Sequence, residues 1–296
     1  MSEWTLQPET EENREREIGY KSVLDFGREA KVYPPHDYGD YPTKLLPQVV
    51  RVFVKRFSNI RDTILDPFCG GGTIAVEAKI NCRNSINYDI NPIAVDITKE
   101  KLRRVNFLHP NTCPLITKHI VEVGDARKLP LLDGSVDAVI TDPPYANMIK
   151  YSDLPDDLSN LDYDSFLIEM EKAFKEMYRV LKRDRYCVIF VTDYRVAAAR
   201  KILPVHSDFI QIARDIGFVF FDIYIWRYYR SGDFRPFGKR PYQAMNVHSY
   251  ILVFYKGEEL EKENRPVRYR RRLIEKLQKT SKMVQETLTL NTAKFD

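Results

Sequence analysis

Three strand-like runs alternate with two helical patterns between Thr63 and Val123, and this alternation restricts the fold more than any other feature of the chain. Thr63-Ile64-Leu65 leads into Asp66-Pro67-Phe68-Cys69-Gly70-Gly71-Gly72-Thr73, after which Ile74, Val76 and Ala78 mark a helix. A second strand closes on Asn87-Tyr88-Asp89. Asn91-Pro92 then opens a second helix (Ile93, Val95, Ile97), and a third strand, His119 to Val123, runs into Gly124-Asp125-Ala126. Strands that alternate with helices pair in parallel, because each helix carries the chain back across the sheet. The expected fold is therefore α/β, a mostly parallel, doubly wound sheet. A fourth apolar run, Val136 to Ile140 with Asp137 inside it, reads as a buried strand and ends in Thr141-Asp142-Pro143-Pro144-Tyr145.

The strand ends carry the chemistry. Glycines at a strand-to-helix turn accept positive φ and let backbone approach a ligand closely. Asp89 falls roughly 20 residues after the glycine turn, where a doubly wound fold places an acid that accepts hydrogen bonds from vicinal ribose hydroxyls. A solvated loop acid or helix cap is the competing reading. Asp125 is either an acceptor for a ring amino group or a turn residue. The two prolines after Asp142 remove two backbone donors and fix φ, so the chain leaves the strand stiffly. That stiffness holds the Asp142 carboxylate, the Pro143 carbonyl and the Tyr145 ring in one arrangement, which suits a flat ring bearing an amino group. An ordinary Asp-Pro turn is the alternative for the tetrapeptide taken alone.

The pairing of Asp66–Thr73 with Asp142–Tyr145 resembles the S-adenosylmethionine-dependent amino-methyltransferases of the DNA N-4/N-6 methylase family, over roughly Tyr33 to Lys256. The family joins a glycine-rich cofactor loop to an (Asp/Asn/Ser)-Pro-Pro-(Tyr/Phe) motif. The resemblance implies a Rossmann-like class I methyltransferase fold with an antiparallel last strand, and S-adenosylmethionine as cofactor. Cofactor contacts are then expected at Thr43, Asp66, Pro67, Phe68, Cys69, Gly70, Gly72, Thr73, Asp89, Ile90, Asp125 and Ala126. Catalysis is expected at Asp142, Pro143, Pro144 and Tyr145. Tyr41-Pro42-Thr43-Lys44 is similar to the family's His-Pro-Thr-type segment, with Tyr41 in place of His; a simple helix entry competes with that reading.

Of the 296 residues, 30% are charged, and the net charge is +4. So mild an excess requires any nucleic-acid surface to be a local patch. No apolar run approaches the ~20 residues of a membrane span, and Met1-Ser2-Glu3-Trp4 is not a secretory leader, so a cytoplasmic protein is expected. Cys69, Cys82, Cys113 and Cys187 show no Cys-x-x-Cys spacing, which argues against a metal site or a disulfide framework. Cys69, within the glycine turn, is expected there for its small size.

Residues 1–30 read as a charged arm or solvated helix, residues 31–256 as the catalytic domain, and residues 257–296 as a basic tail. Leu45, Leu46, Val49, Val50, Phe53, Val54 and Phe57 trace a helix with Pro47 in its first turn. Residues 146–164 form a polar substrate loop containing Tyr151. A helix follows with an apolar stripe from Phe166 to Leu181, then a strand from Tyr186 to Val191 and a helix ending at Gly217. Strands from Phe218 to Tyr228 and Ser249 to Tyr255 flank a loop near 229–247. There Arg230, Arg235, Lys239 and Arg240 interleave with aromatics, a pattern suited to phosphate contact and base stacking. The tail (Arg265, Arg268, Arg270, Arg271, Arg272, Lys276, Lys279, Lys282) either grips phosphates or is an appendix.

The expected partner is nucleic acid, with DNA as the first substrate, at cytosine N4 or adenine N6. Only short loops are available for sequence recognition, which makes structured RNA, such as cytidine N4 in ribosomal RNA, a near-equal alternative. A non-catalytic nucleic-acid-binding module would predict a damaged motif, and Asp142 to Tyr145 are intact. Oligomeric state is left open.

Overall fold

The computed structural model describes residues 21–27, 30, 32–39, 41–42, 45–108, 113–146, 149–196, 201–228 and 247–258. The chain divides into a unit spanning Met1–Gly257 and a second spanning Glu258–Asp296. Arg230, Arg235, Lys239 and Arg240, the basic tail and Thr43 lie outside the described residues.

Ten strands and five α-helices are described, in the order β1 (Val23–Asp25), α1 (Pro47–Phe57), β2 (Thr63–Asp66), α2 (Thr73–Ile80), β3 (Asn84–Asp89), α3 (Pro92–Leu108), β4 (His119–Val123), β5 (Val136–Thr141), α4 (Tyr163–Val180), β6 (Leu181–Val191), β7 (Tyr194–Val196), β8 (Lys201–Leu203), α5 (Val205–Ile216), β9 (Val219–Arg227) and β10 (His248–Lys256). Eight of the strands form one sheet in the order β1-β9-β10-β6-β5-β2-β3-β4. β2 pairs in parallel with β3 and β5, β4 with β3, and β6 with β5. β10 is antiparallel to both its neighbours, so β9 runs in the same direction as β6. The expected mostly parallel sheet with an antiparallel last strand is present.

Alternation along the central strands explains the two layers. Ile64, Ala138, Ile140, Val188, Phe190, Ile251 and Val253 face α1, where Val49, Val50, Phe53 and Val54 are fully buried. Their neighbours Leu65, Val139, Cys187, Ile189, Val191, Leu252 and Phe254 face α4 and α5, against Phe166, Met170, Phe174 and Phe209. A strand covered on both faces reads as an unbroken apolar run, as β5 does. Each such side chain contributes about 1.5–3 kcal/mol on burial. α5 ends at Gly217, whose φ of 114° is the left-handed cap that the glycine pattern predicts.

Two expectations are corrected. The charged arm was expected to run to about residue 30, but Val23–Asp25 form an edge strand parallel to β9, with Leu24 fully buried. Three residues are too few to show a period, and their pairing partner lies some 200 positions away. The cysteine spacing argued against disulfides, yet Cys82 and Cys113 are bridged, with Cα atoms 5.3 Å apart. α3 lies between them, so the pair is 31 residues apart and leaves no local spacing to read. A short β7–β8 ladder beyond the end of β6 is a further element without a sequence signal.

Candidate functional site

The chain winds from β2 to β3 to β4 on one side of the sheet and from β5 to β6 on the other. The reversal falls between β2 and β5, and ligands of open α/β sheets bind at the carboxyl ends of strands beside such a switch point. Asp66 ends β2, Asp89 ends β3, Asp125 follows β4 and Asp142 follows β5. Parallel pairing brings all four to one edge, where they line a cleft that is open to solvent. Pro67, Phe68, Cys69, Gly70, Gly72, Thr73, Ile90, Ala126, Pro144 and Tyr151 line it too. Pro143 and Tyr145 are not among the residues that line it.

The glycine turn is held from three directions. Gly70 N–H donates to Asp89 Oδ2 at 2.8 Å, and Asn91 N–H to Asp89 Oδ1 at 2.9 Å. Asp89 thus fastens the turn while keeping lone pairs for a ligand. Thr98 Oγ1 donates to the Gly70 carbonyl at 3.1 Å, and the fully buried Lys101 donates through Nζ to the Gly71 carbonyl at 2.6 Å. Both come from α3, three residues apart on one helix face. Gly72 has φ of 76°, and a Cβ there would lie 2.5 Å from Thr98 Oγ1, so the close approach requires glycine.

Burial governs the carboxyls. It pushes Asp66 up to about 8, against hydrogen bonds from Thr141 Oγ1 at 2.7 Å and Phe68 N–H, with Asp89 and Asp142 adding like charge. Asp89 is raised to about 6, restrained by its two backbone donors. Asp142 is raised to about 7, restrained by the Tyr145 hydroxyl, which donates to Asp142 Oδ1. Asp125 differs. Arg127 grips its carboxylate from Nε and Nη2, at 2.7 to 3.0 Å, and also reaches Glu169 and the Asp156 carbonyl. Of the two readings left open for Asp125, this geometry favours the anchored turn.

Further residues reach the cleft that the sequence analysis had named only within a segment or a loop, without a role of their own. Tyr41 lines the cleft and stacks on Tyr151, with ring centroids 5.7 Å apart. The loop after β5 folds back through Asp157, which caps a 3-10 turn at Leu158–Asn160, so that Asp156, Asp157 and Leu158 reach the cleft. On α2, the fully buried Glu77 accepts from His36 Nε2 and Arg51 Nε, each at 2.9 Å, and from the Tyr33 hydroxyl. Burial alone would raise its carboxyl, but Arg51 and His36 hold it at about 2. This network ties the segment before Tyr41 to the helix that follows the glycine turn.

The cleft fits the cofactor implied by the resemblance. It offers a glycine cradle with no room for side chains at Gly72, a buried acid, Asp89, at the strand end where a ribose contact is expected, and further carboxyls beside it. Among the described residues, no group of three or more His, Cys, Asp or Glu could hold a metal, and no helix is long and apolar enough to cross a membrane.

Comparison with known proteins gives a consistent picture. A family profile described as DNA methylase, of the N6/N4 type, matches residues 136–292, and one described as RMKL-like methyltransferase domain matches residues 39–211. The tRNA (guanine(10)-N2)-dimethyltransferase of Methanothermobacter thermautotrophicus is 38% identical over 107 residues, covering 36% of this chain and 29% of that protein. The type II methyltransferase M.MjaVI of Methanocaldococcus jannaschii is 30% identical over 138 residues, covering 45% of this chain and 68% of that protein. This chain therefore spans less than a third of the first relative's length. Among solved structures, an S-adenosylmethionine-dependent methyltransferase of Methanosarcina mazei superposes with a TM-score of 0.49 at 15% identity, over 70% of this chain and 98% of that one.

Proposed function

The chain belongs to the DNA methylase family of the N6/N4 type, and on that premise we propose that it methylates the exocyclic amino group of a base in nucleic acid. The cofactor is S-adenosylmethionine, which when bound supplies a methyl group on positively charged sulfur. The observation that carries the reading is the Asp142 carboxylate, partly open to the same cleft as the glycine turn and Asp89 and followed by two prolines and Tyr145.

Each residue then has a task. Asp89 accepts from the ribose hydroxyls, and the Asp66–Thr73 turn, pinned by Thr98 and Lys101, keeps backbone close to the cofactor. Asp142 and the Pro143 carbonyl accept the two N–H bonds of the target amino group. That pulls the nitrogen away from conjugation with its ring and frees the lone pair for in-line attack, so that the N–C bond would form as the C–S bond breaks, the sulfur leaving as a neutral thioether and the extra proton on nitrogen passing to solvent. As positive charge grows on nitrogen, Asp142 stabilises it electrostatically. Alignment of the two reactants supplies much of the remaining rate. The Tyr145 ring gives the base a face to stack on.

DNA at cytosine N4 or adenine N6 is the first substrate, in keeping with the family. The relative named as a tRNA guanine-N2 methyltransferase favours a second reading, a base amino group in structured RNA, because guanine N2 is also exocyclic. The test is incubation with methyl-labelled cofactor and, separately, duplex DNA, unmodified transfer RNA and unmodified ribosomal RNA, followed by mass spectrometry of the nucleosides. An N-methylated amino group on any base supports the reading and names the polymer. Label found only on carbon or oxygen sinks it.

A further inference from the structure

We propose that Asn91 and Arg127 are positioning residues that strap the loop after β5 across the cofactor cleft, so that holding the cofactor and ordering the chain that leaves the Asp142–Tyr145 motif become one coupled event. The inference rests on the cofactor and not on which polymer is methylated.

The loop is first a unit in itself. The buried Asp157 accepts from the Ser152 hydroxyl at 2.5 Å and from Ser159 N–H at 2.9 Å. Tyr151 N–H donates to Ser159 Oγ at 3.3 Å. Asn160 Nδ2 donates to the carbonyls of Ser152 and Leu154, at 3.2 and 2.9 Å. Residues 151–160 therefore hold one another, and moving one end breaks bonds at the other. Downstream, Leu158 is buried in the core that Leu161 and Tyr163 also pack against. Upstream, Tyr151 stands six positions after Tyr145.

Two side chains fasten this unit, and both come from the half of the sheet that carries the cofactor residues. Asn91 follows β3. Its backbone N–H donates to Asp89 Oδ1 at 2.9 Å, its Oδ1 accepts from Ile93 N–H at 3.0 Å at the start of α3, and its Nδ2 donates to the Tyr151 carbonyl at 3.2 Å. Arg127 follows β4. Its guanidinium grips Asp125 and Glu169, and Nη2 donates to the Asp156 carbonyl at 3.1 Å. The loop thus leaves the sheet from β5 and is tied beside β3 and β4, although β2 lies between β5 and β3. Tyr151, Asp156, Asp157 and Leu158 on the strap and Asp89 and Asp125 at its ties all line the same cleft. A ligand that touches both sets favours the strapped loop. By reciprocity, a loop already strapped leaves less to order when the ligand binds.

The test is hydrogen exchange of the full chain, read by mass spectrometry with and without S-adenosylhomocysteine, over peptides covering residues 151–160, the glycine turn and α3. In the unchanged protein the ligand should slow exchange in the glycine turn and in the loop alike. Asn91→Asp keeps the oxygen that caps α3 and removes the donor to Tyr151; Arg127→Lys keeps a cation and removes the fork. With both substitutions, the ligand should still protect the glycine turn, but protection of 151–160 should be lost. Exchange in α3 should be unchanged, which reports an intact fold. Asn91→Ser also caps α3 and adds no charge, so combined with Arg127→Lys it should give the same pattern. Affinity for S-adenosylhomocysteine should fall roughly two- to tenfold in Asn91→Ser, the size of one neutral hydrogen bond. Loop protection that survives in both combined variants overturns the strap. So does a ligand that protects the glycine turn of the unchanged protein and leaves 151–160 as it was, a comparison that needs no variant. The readout uses no nucleic acid, so a failed methyl-transfer assay bears on the substrate reading alone.

Discussion

Asp89 and Asp142 are both buried acids at strand ends, yet they should fail in different ways when removed. In its proposed role Asp89 holds the cofactor before and during reaction alike, so Asp89→Ala should weaken cofactor affinity, by about 1.5–3 kcal/mol for a lost charged acceptor. The loss should exceed what the ribose contact alone explains, because Gly70 and Asn91 lose their acceptor as well. Asp142 matters most as charge develops, so Asp142→Ala should lower kcat about a hundredfold or more while calorimetry finds cofactor binding little changed. Asp142 also predicts a pH limb. Burial raises its carboxyl to about 7, and a protonated carboxyl gives up part of its accepting capacity. kcat/KM should therefore fall as pH drops below about 7. Asp142→Asn cannot titrate, so its residual activity should lack that limb; a limb that persists would assign it to another group. Tyr145→Phe is less benign than a pure stacking role implies, since it removes the hydroxyl that restrains Asp142.

At the scale of elements, the glycine turn distinguishes two positions that look alike in the sequence. Gly72→Ala would force a side chain onto a left-handed φ and bring its Cβ within 2.5 Å of Thr98 Oγ1. A Cβ at Gly71 would meet nothing closer than 3.5 Å, and that residue has no left-handed φ. Gly72→Ala should cost about 1–3 kcal/mol in urea denaturation and weaken cofactor binding, whereas Gly71→Ala should be nearly silent. Equal costs at the two positions would mean the turn is not held against α3. Thr98→Ala should recover only part of the Gly72→Ala loss, since it relieves the clash and leaves the strained φ. This contrast also marks what the sequence could reveal. The parallel strand–helix alternation, the acids at the strand ends and most of the cleft lining were legible because each signal is local: a strand end, a turn, a carboxylate two residues on. Thr98 and Lys101 were not, because polar residues within a helix resemble a solvated face until its packing partner is known. The Glu77 network, the Cys82–Cys113 bridge and the pairing of β1 with β9 each join segments far apart in the chain, and no spacing rule reaches that far. Tyr151 was readable as a loop residue, but its partner Tyr41 was visible only as a departure from the family's pattern.

Across the whole molecule, fastening the sheet edge around one cleft has an electrostatic consequence. Asp66, Asp142 and Asp89 are raised by burial to about 8, 7 and 6, so near neutral pH the ligand-free cleft holds protons that the unfolded chain does not. A carboxyl with a raised folded pKa costs stability as pH climbs from its unfolded value to its folded one. Up to about pH 7 this trend is opposed by the buried His36, which is lowered, and the half-buried His119, lowered to about 4, which favour the folded state as pH rises. As pH rises further these two become neutral in the unfolded chain as well, and their contribution fades while that of the carboxyls remains. The ligand-free protein should therefore lose thermal stability between about pH 7 and pH 8, and Asp66→Asn should flatten the loss. S-adenosylmethionine brings a positive sulfur to the same cleft. A cation there favours the charged carboxylates, so binding should expel protons and tighten as pH rises through this window, by up to tenfold per pH unit for each proton released. S-adenosylhomocysteine has the same outline but a neutral sulfur, and its affinity should depend much less on pH. Calorimetry of both ligands in buffers of different ionisation enthalpy measures the protons directly. Equal proton release by the two would show that the cleft responds to their shared shape, and the carboxylates would then have no part in recognising the sulfonium charge.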